Sequence, residues 1–324
     1  MRMRFMGLGV LCLGLLLTPG CEKAPQPGGA ADGEQYRFTM IIFDRPGNAF
    51  WAKVVKGAEE TAEILGVDAD VQFANGDASR QNDIIETAIA NGVDGLGVVL
   101  NYDDAYDESI QRAIDAGMAV IAFNIDDTQR GAGNARMAYI GQDMEEAGKM
   151  VAERLLAETE LEAGDHVLCP VEYPDAVYAI QRYAGVRGVL EAHGIKSEVL
   201  NTGAASVEDV LNKVTQYLIG HKETDAICAM GQMPLEASPR AAADAGIDVP
   251  IVGFDLSTQI ARDINEGRVI ATVDQQPFYQ GCLTLTQLYF HAKYGLHPCD
   301  INTGGAMVDK ANVDRVIDLA ATVR

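Results

Sequence analysis

The chain has 324 residues, of which 48% are hydrophobic and 22% charged, a balance that excludes a disordered or fibrous protein and leaves room for about two ordinary domains. Lys and Arg total 25 against 47 Asp and Glu, a formal net charge of -22. With no basic run to meet phosphates, neither nucleic acid nor an anionic lipid surface is an expected partner.

The chain opens on MRMRFMGLGVLCLGLLLTPGC. Arg2 and Arg4 precede an apolar run of 13 residues, Phe5 to Leu17, which is a signal-peptide pattern and too short for a spanning helix. Gly20-Cys21 resembles a bacterial lipobox, although Thr18 stands where Leu is preferred and Pro19 is unusual. The similarity implies acylation of Cys21 and a lipid-anchored, extracytoplasmic (periplasmic) body. Residues 22–35, rich in Pro and Gly, read as a flexible tether.

Strand and helix signals then alternate. Arg37–Phe43 is an apolar strand, and Trp51, Val54, Val55, Ala58, Ala62 and Leu65 follow at helical spacing until Gly66 stops the helix. Asp70–Ala74 is a strand, Gln81–Ala90 a helix, Gly95–Leu100 a strand, Ala105–Ala116 a helix and Met118–Phe123 a strand. Tyr139–Asp143 reads as a connecting segment. The pattern restarts with strands at His166–Val171, Ser197–Leu200, Asp225–Met230, Val249–Phe254 and Val269–Val273, and with helices at Ala179–His193, Val207–Ile219 and Leu235–Ala245. Continuous apolar strands alternating with helices specify an α/β fold of two similar, doubly wound, parallel-sheet (Rossmann-like) lobes. Ligands of such sheets bind beyond the carboxyl ends of the strands.

No catalytic or phosphate-cradling motif is found: H-E-x-x-H, G-x-x-x-x-G-K-[ST] and G-x-S-x-G are all missing, and Gly95-Leu96-Gly97 falls inside a strand as a close-packing feature. The protein therefore reads as a binder, with no catalytic residues, cofactor or metal expected. The five histidines read as solvated surface, and Cys169 and Cys228 as small core residues.

Polar and aromatic residues at strand ends carry the signal instead: Asn48, Phe50, Trp51, Asn101, Asn124, Arg182, Asp255 and Gln275. Hydroxyl groups both donate and accept, so amide, guanidinium and carboxylate groups together suit a small neutral polyhydroxylated ligand, and aromatic rings suit the C–H face of a sugar. Taken singly, Asn101 and Asn124 read as turn formers and Trp51 as core.

These residues resemble those of type I periplasmic solute-binding proteins of the ribose/galactose sugar group. The similar segments are Gly47–Glu59 (GNAFWAKVVKGAE), Asp115–Asn124, Tyr139–Gly148, Ile251–Asp255 (IVGFD) and Ala271–Pro277 (ATVDQQP), in order from about residue 37 to 320. The resemblance implies an N-terminal lobe of 36–142 plus 276–306 and a C-terminal lobe of 143–275 plus 307–324. A three-segment hinge near Gln142, Asp255 and Gln275 would let the lobes close on ligand. It implies ligand contacts by the eight residues above, with Gln232, Tyr178 and Tyr173 added from the second lobe. Asn124-Ile125 departs from the group's usual Asp-Arg, and Gly231-Gln232 from its Asn-Asp, so a polyol, a modified sugar or a non-sugar ligand stays open. The implied partners are the permease and ATPase subunits of an ABC importer, with the protein itself a monomer. A sensory module serving a chemoreceptor or sensor kinase is the alternative.

Overall fold

A computed structural model describes residues 35–129 and 132–324; the signal segment, Cys21 and nearly all of the tether lie outside them. In the first lobe the chain runs β1 (Arg37–Ile42), α1 (Ala49–Leu65), β2 (Asp68–Phe73), α2 (Ala78–Asn91), β3 (Gly95–Val98), α3 (Asp107–Asp115), β4 (Ala119–Asn124) and β5 (Ala138–Gly141). The second lobe follows with α4 (Met144–Glu158), β6 (His166–Val171), α5 (Val177–Ala192), β7 (Lys196–Asn201), α6 (Val207–Gly220), β8 (Ala226–Ala229), α7 (Gln232–Ala245), β9 (Ile251–Phe254), α8 (Thr258–Asn265) and β10 (Ala271–Asp274). The chain returns through α9 (Pro277–Tyr294) and β11 (Ile301–Asn302), then ends with β12 (Ala306–Asp309) and a short 3-10 turn.

The sheets have matching orders, β11-β5-β4-β3-β1-β2 and β12-β10-β9-β8-β6-β7. Central strands β3, β4, β8, β9 and β10 are buried throughout, while β2 and β7 lie at sheet edges and are partly exposed. That contrast explains the continuous apolar runs, since helices cover both faces of the central strands. One strand departs from the parallel expectation: β12 pairs antiparallel with β10, so the second sheet is mixed.

Local chemistry sets the ends of α1. The Asn48 side chain accepts from Phe50 N at 2.9 Å, and Gly66, at φ 69, closes the helix by donating to Ala62 and Glu63 carbonyls.

The segment Tyr139–Asp143 is more than a connector, because its first residues form β5 against β4. Sequence patterning also overlooks α4, α8, α9, β11 and β12. The short β11 is too brief for a period, and α9 buries residues spread around its axis because it packs on the sheet and on α1.

The chain crosses between the sheets at residues 142–143, 275–276 and 303–305, between β5 and α4, β10 and α9, and β11 and β12. Asp255 is therefore beside the hinge, not in it: it follows β9 within the second lobe, and the third crossing is Thr303–Gly305.

Glycines bring the helices next to these crossings into contact. A Cβ at Gly57 would lie 2.1 Å from the Phe278 carbonyl oxygen, and one at Gly281 equally close to that of Val54, which locks α1 to α9. Gly148 and Gly185 do the same for α4 and α5, at 2.2 Å from Arg182 O and 2.1 Å from Glu145 O.

Candidate functional site

The carboxyl ends of both sheets face one cleft, with about 610 Å³ of open space including its mouth.

The first-lobe wall starts where β1 ends. Asp44 accepts from Trp51 Nε1 at 3.0 Å and from Asn48 Nδ2 at 3.2 Å on the same oxygen, which fixes the indole. Trp51 meets Phe43 and Phe50 edge-on, at 5.7 and 5.0 Å between ring centroids. The second-lobe wall starts at the matching place, where β6 ends. Glu172 accepts from the Tyr178 hydroxyl at 3.2 Å and from Met233 N at 3.3 Å, and the Tyr173 ring reaches across to Phe43 at 6.4 Å.

The floor is a polar chain along the hinge. Fully buried Arg182 donates through Nε and Nη2 to Gln142 Oε1 (3.0 and 2.8 Å) and through Nη1 to Met230 O (2.8 Å). Its guanidinium stacks over Phe254 at 4.3 Å and lies 3.6 Å from Asp255. Gln275 Nε2 donates to Asp255 Oδ1 at 2.5 Å, and Asn124 Nδ2 donates to Gln275 Oε1 and Gln280 Oε1 at 3.0 and 2.9 Å. Asn124 and Asp255 sit at matching ends of β4 and β9, both left-handed at φ 64 and 72, a conformation Asn and Asp tolerate better than most residues.

Burial shapes the charges. It pushes the Glu172 carboxyl up to about 7, with the Asp255 carboxylate adding to the effect. Lys53 bridges the lobes by donating to Leu256 O at 2.8 Å; its burial holds its pKa below the ordinary value, against the pull of Asp274, Asp255 and Glu236. Among the described residues no cluster of three or more His, Cys, Asp and Glu could hold a metal ion. Cys169 and Cys228 are free, buried thiols.

The structure brings Asn48, Phe50, Trp51, Asn124, Tyr173, Tyr178, Arg182, Gln232, Asp255 and Gln275 to the lining. Asn101 does not reach it. Its side chain is buried against the Tyr106 hydroxyl at 2.7 Å, and its carbonyl accepts Val177 N from the other lobe at 3.4 Å. Sequence reading overlooks Phe43, Asp44, Met144, Glu172 and Met233. Asp44 and Glu172 carry the same signal as Asp255, an acid directly beyond an apolar strand.

The chain is 25% identical to the xylose/arabinose-binding protein XylF of Sulfolobus acidocaldarius, over 82% of this chain and 69% of that one. It is 23% identical to the ribose import binding protein RbsB of Bacillus subtilis, over 83% and 87%. Among solved structures, the carbohydrate transporter of Acidothermus cellulolyticus 11B in complex with myo-inositol superposes with a TM-score of 0.79 at 26% identity, over 89% of this chain and 99% of that one. An ABC sugar transporter (periplasmic sugar binding protein) of Legionella pneumophila gives 0.77 at 27%, over 83% and 100%. Residues 39–295 match the family model described as periplasmic binding protein domain, and with its paired lobes and shared cleft the chain belongs to the periplasmic binding protein family.

Proposed function

We propose that this protein captures a small polyhydroxylated solute, a sugar or polyol, by closing its two lobes, and hands it unchanged to the permease of an ABC importer. In this reading it is an extracytoplasmic monomer anchored through acylated Cys21. The observation that carries the reading is the polar chain Gln142–Arg182–Asp255–Gln275–Asn124, which runs along the hinge under aromatic walls from both lobes. Amide, guanidinium and carboxylate groups there can match several hydroxyls at once, and an unmatched buried polar group costs about 1–3 kcal/mol, which gives selectivity. Relatives named for xylose/arabinose and ribose, and a solved relative holding myo-inositol, support the same ligand class.

Closure follows from where the contacts lie. Lys53 to Leu256 O, Val177 N to Asn101 O and Phe43 to Tyr173 all span the lobes, so a ligand touching both walls favours the closed arrangement by its differential affinity. Thermal unfolding against a panel of pentoses, hexoses, inositols and nucleosides tests the reading, because a ligand of the native state raises the midpoint. A rise with a sugar or polyol is expected; no rise with any of them, or conversion of the ligand into a product, sinks it.

A further inference from the structure

The cleft lining carries more acid than base. Asp44, Glu172 and Asp255 all line it, and among the described residues Arg182 is the one basic side chain in the lining. Arg182 is committed to Gln142, Met230 O and Asp255. The wall amides also donate inward: Asn48 to Asp44, Asn124 to Gln275 and Gln280, Gln275 to Asp255, and Gln232 to Glu236.

Acceptors are left over. Asp44 and Asp255 each engage one carboxylate oxygen, and among the described residues no donor reaches the other. Gln232 Oε1 is buried with no partner. Glu172, 8% exposed, has only neutral donors, the Tyr178 hydroxyl, Met233 N and its own backbone N–H, and no ion-pair partner among the described residues. It also stands at the end of β6, at the place Asp44 occupies after β1, so the two acids line the cleft from opposite lobes.

A hydroxyl donates one hydrogen bond, whereas an ammonium donates three, accepts none and carries the missing charge. Resting on the reading of the cleft as a sugar or polyol site, we propose that the ligand bears an ammonium group, as an amino sugar or amino polyol does, with Glu172 as its principal partner and Asp44 and Asp255 beside it. Aromatic rings on both walls suit the same cation, since their faces are electronegative.

Calorimetric titration of the purified full-length protein with matched pairs decides this: D-glucose with D-glucosamine, D-galactose with D-galactosamine, and an inositol with its amino-deoxy analogue. An amine binding about tenfold or more tighter than its hydroxyl counterpart is expected, as a hydrogen bond to a charged partner provides. Glu172→Gln should erase that preference, with its unfolding transition measured alongside. A hydroxyl member that binds as tightly as its amine, or a preference that survives in a folded Glu172→Gln protein, overturns the proposal and leaves the sugar reading standing. Silence from every pair overturns both.

Discussion

Arg182 directs Nε and Nη2 at a single acceptor, Gln142 Oε1, at 3.0 and 2.8 Å. Gln142 begins the first crossing between the lobes and Arg182 lines the cleft, so one side-chain pair ties the hinge to the site. Its counterpart by fold position is Gln275, which follows β10 as Gln142 follows β5 and joins Asp255 to Asn124. The two glutamines make the hinge a continuation of the cleft floor.

Replacing Gln142 by Ala strips Arg182 of that acceptor while the guanidinium stays buried. The expected cost is about 1–3 kcal/mol of stability, with ligand affinity falling about tenfold or more because the fork is no longer aimed. Denaturant unfolding and calorimetric titration measure the two separately. Unchanged affinity in the variant would show that the hinge and the floor are not coupled through this pair.

Helix α5 supplies its own control. A Cβ at Gly185 would fall 2.1 Å from Glu145 O and 2.8 Å from Lys149 N, so Gly185→Ala must push α5 off α4 at about 1–3 kcal/mol. One turn on, Gly188 is exposed, has ordinary helical φ and nothing within 4 Å of its Cβ position. Gly188→Ala should stabilise by about 0.4–1 kcal/mol through the unfolded chain's lost freedom. Opposite shifts in the thermal midpoint are expected, and shifts of the same sign would refute the packing account.

How much of this was readable from sequence depends on what each residue's neighbours are. The central strands are legible because burial on two faces writes an unbroken apolar run, and the Gly66 stop because the left-handed region favours that residue. Asp255 and Gln275 are legible as polar residues just beyond strand ends, and Arg182 as one in the early turns of a helix. Asn101 shows the limit: strand-end position puts a residue near the cleft but does not aim it, and the Tyr106 hydroxyl holds this one aside. The third crossing is hidden because β11 has two residues and pairs with β5, distant in sequence. Glu172 shows the strand-end signal of Asp255, but the room it needs comes from Gly231, distant in sequence, where a Cβ would fall 2.3 Å from the carboxylate.

The same carboxyl sets a pH dependence. Glu172 is pushed from 4.5 in the unfolded chain to about 7 in the folded one, so between these values the native state holds a proton that the unfolded state has lost. Its contribution is therefore fully present below pH about 4.5 and is lost as pH rises toward about 7, a change on the order of 3 kcal/mol. Glu172→Gln keeps a neutral group there and cannot lose a proton. Relative to the natural protein, the variant should gain stability as pH rises from 4.5 to 7, measured by urea unfolding across that range. A difference between the two that does not move with pH would refute the assignment.

Asp255→Asn isolates charge from shape. Asn tolerates the left-handed backbone at φ 72, and its carbonyl oxygen can still accept from Gln275 Nε2. What goes is the negative charge of a cleft-lining carboxylate 3.6 Å from Arg182. The ligand-free midpoint should move little, since the remaining hydrogen bonds of the floor survive. Ligand affinity should fall about 10–100-fold, the loss expected when a charge-assisted bond becomes a neutral one or a donor is left unmet. Arg182→Ala, by contrast, should lose both the ligand response and stability, because it vacates the largest fully buried side chain and orphans Gln142 and Met230 O. An Asp255→Asn protein whose midpoint still rises normally with ligand would remove Asp255 from the site.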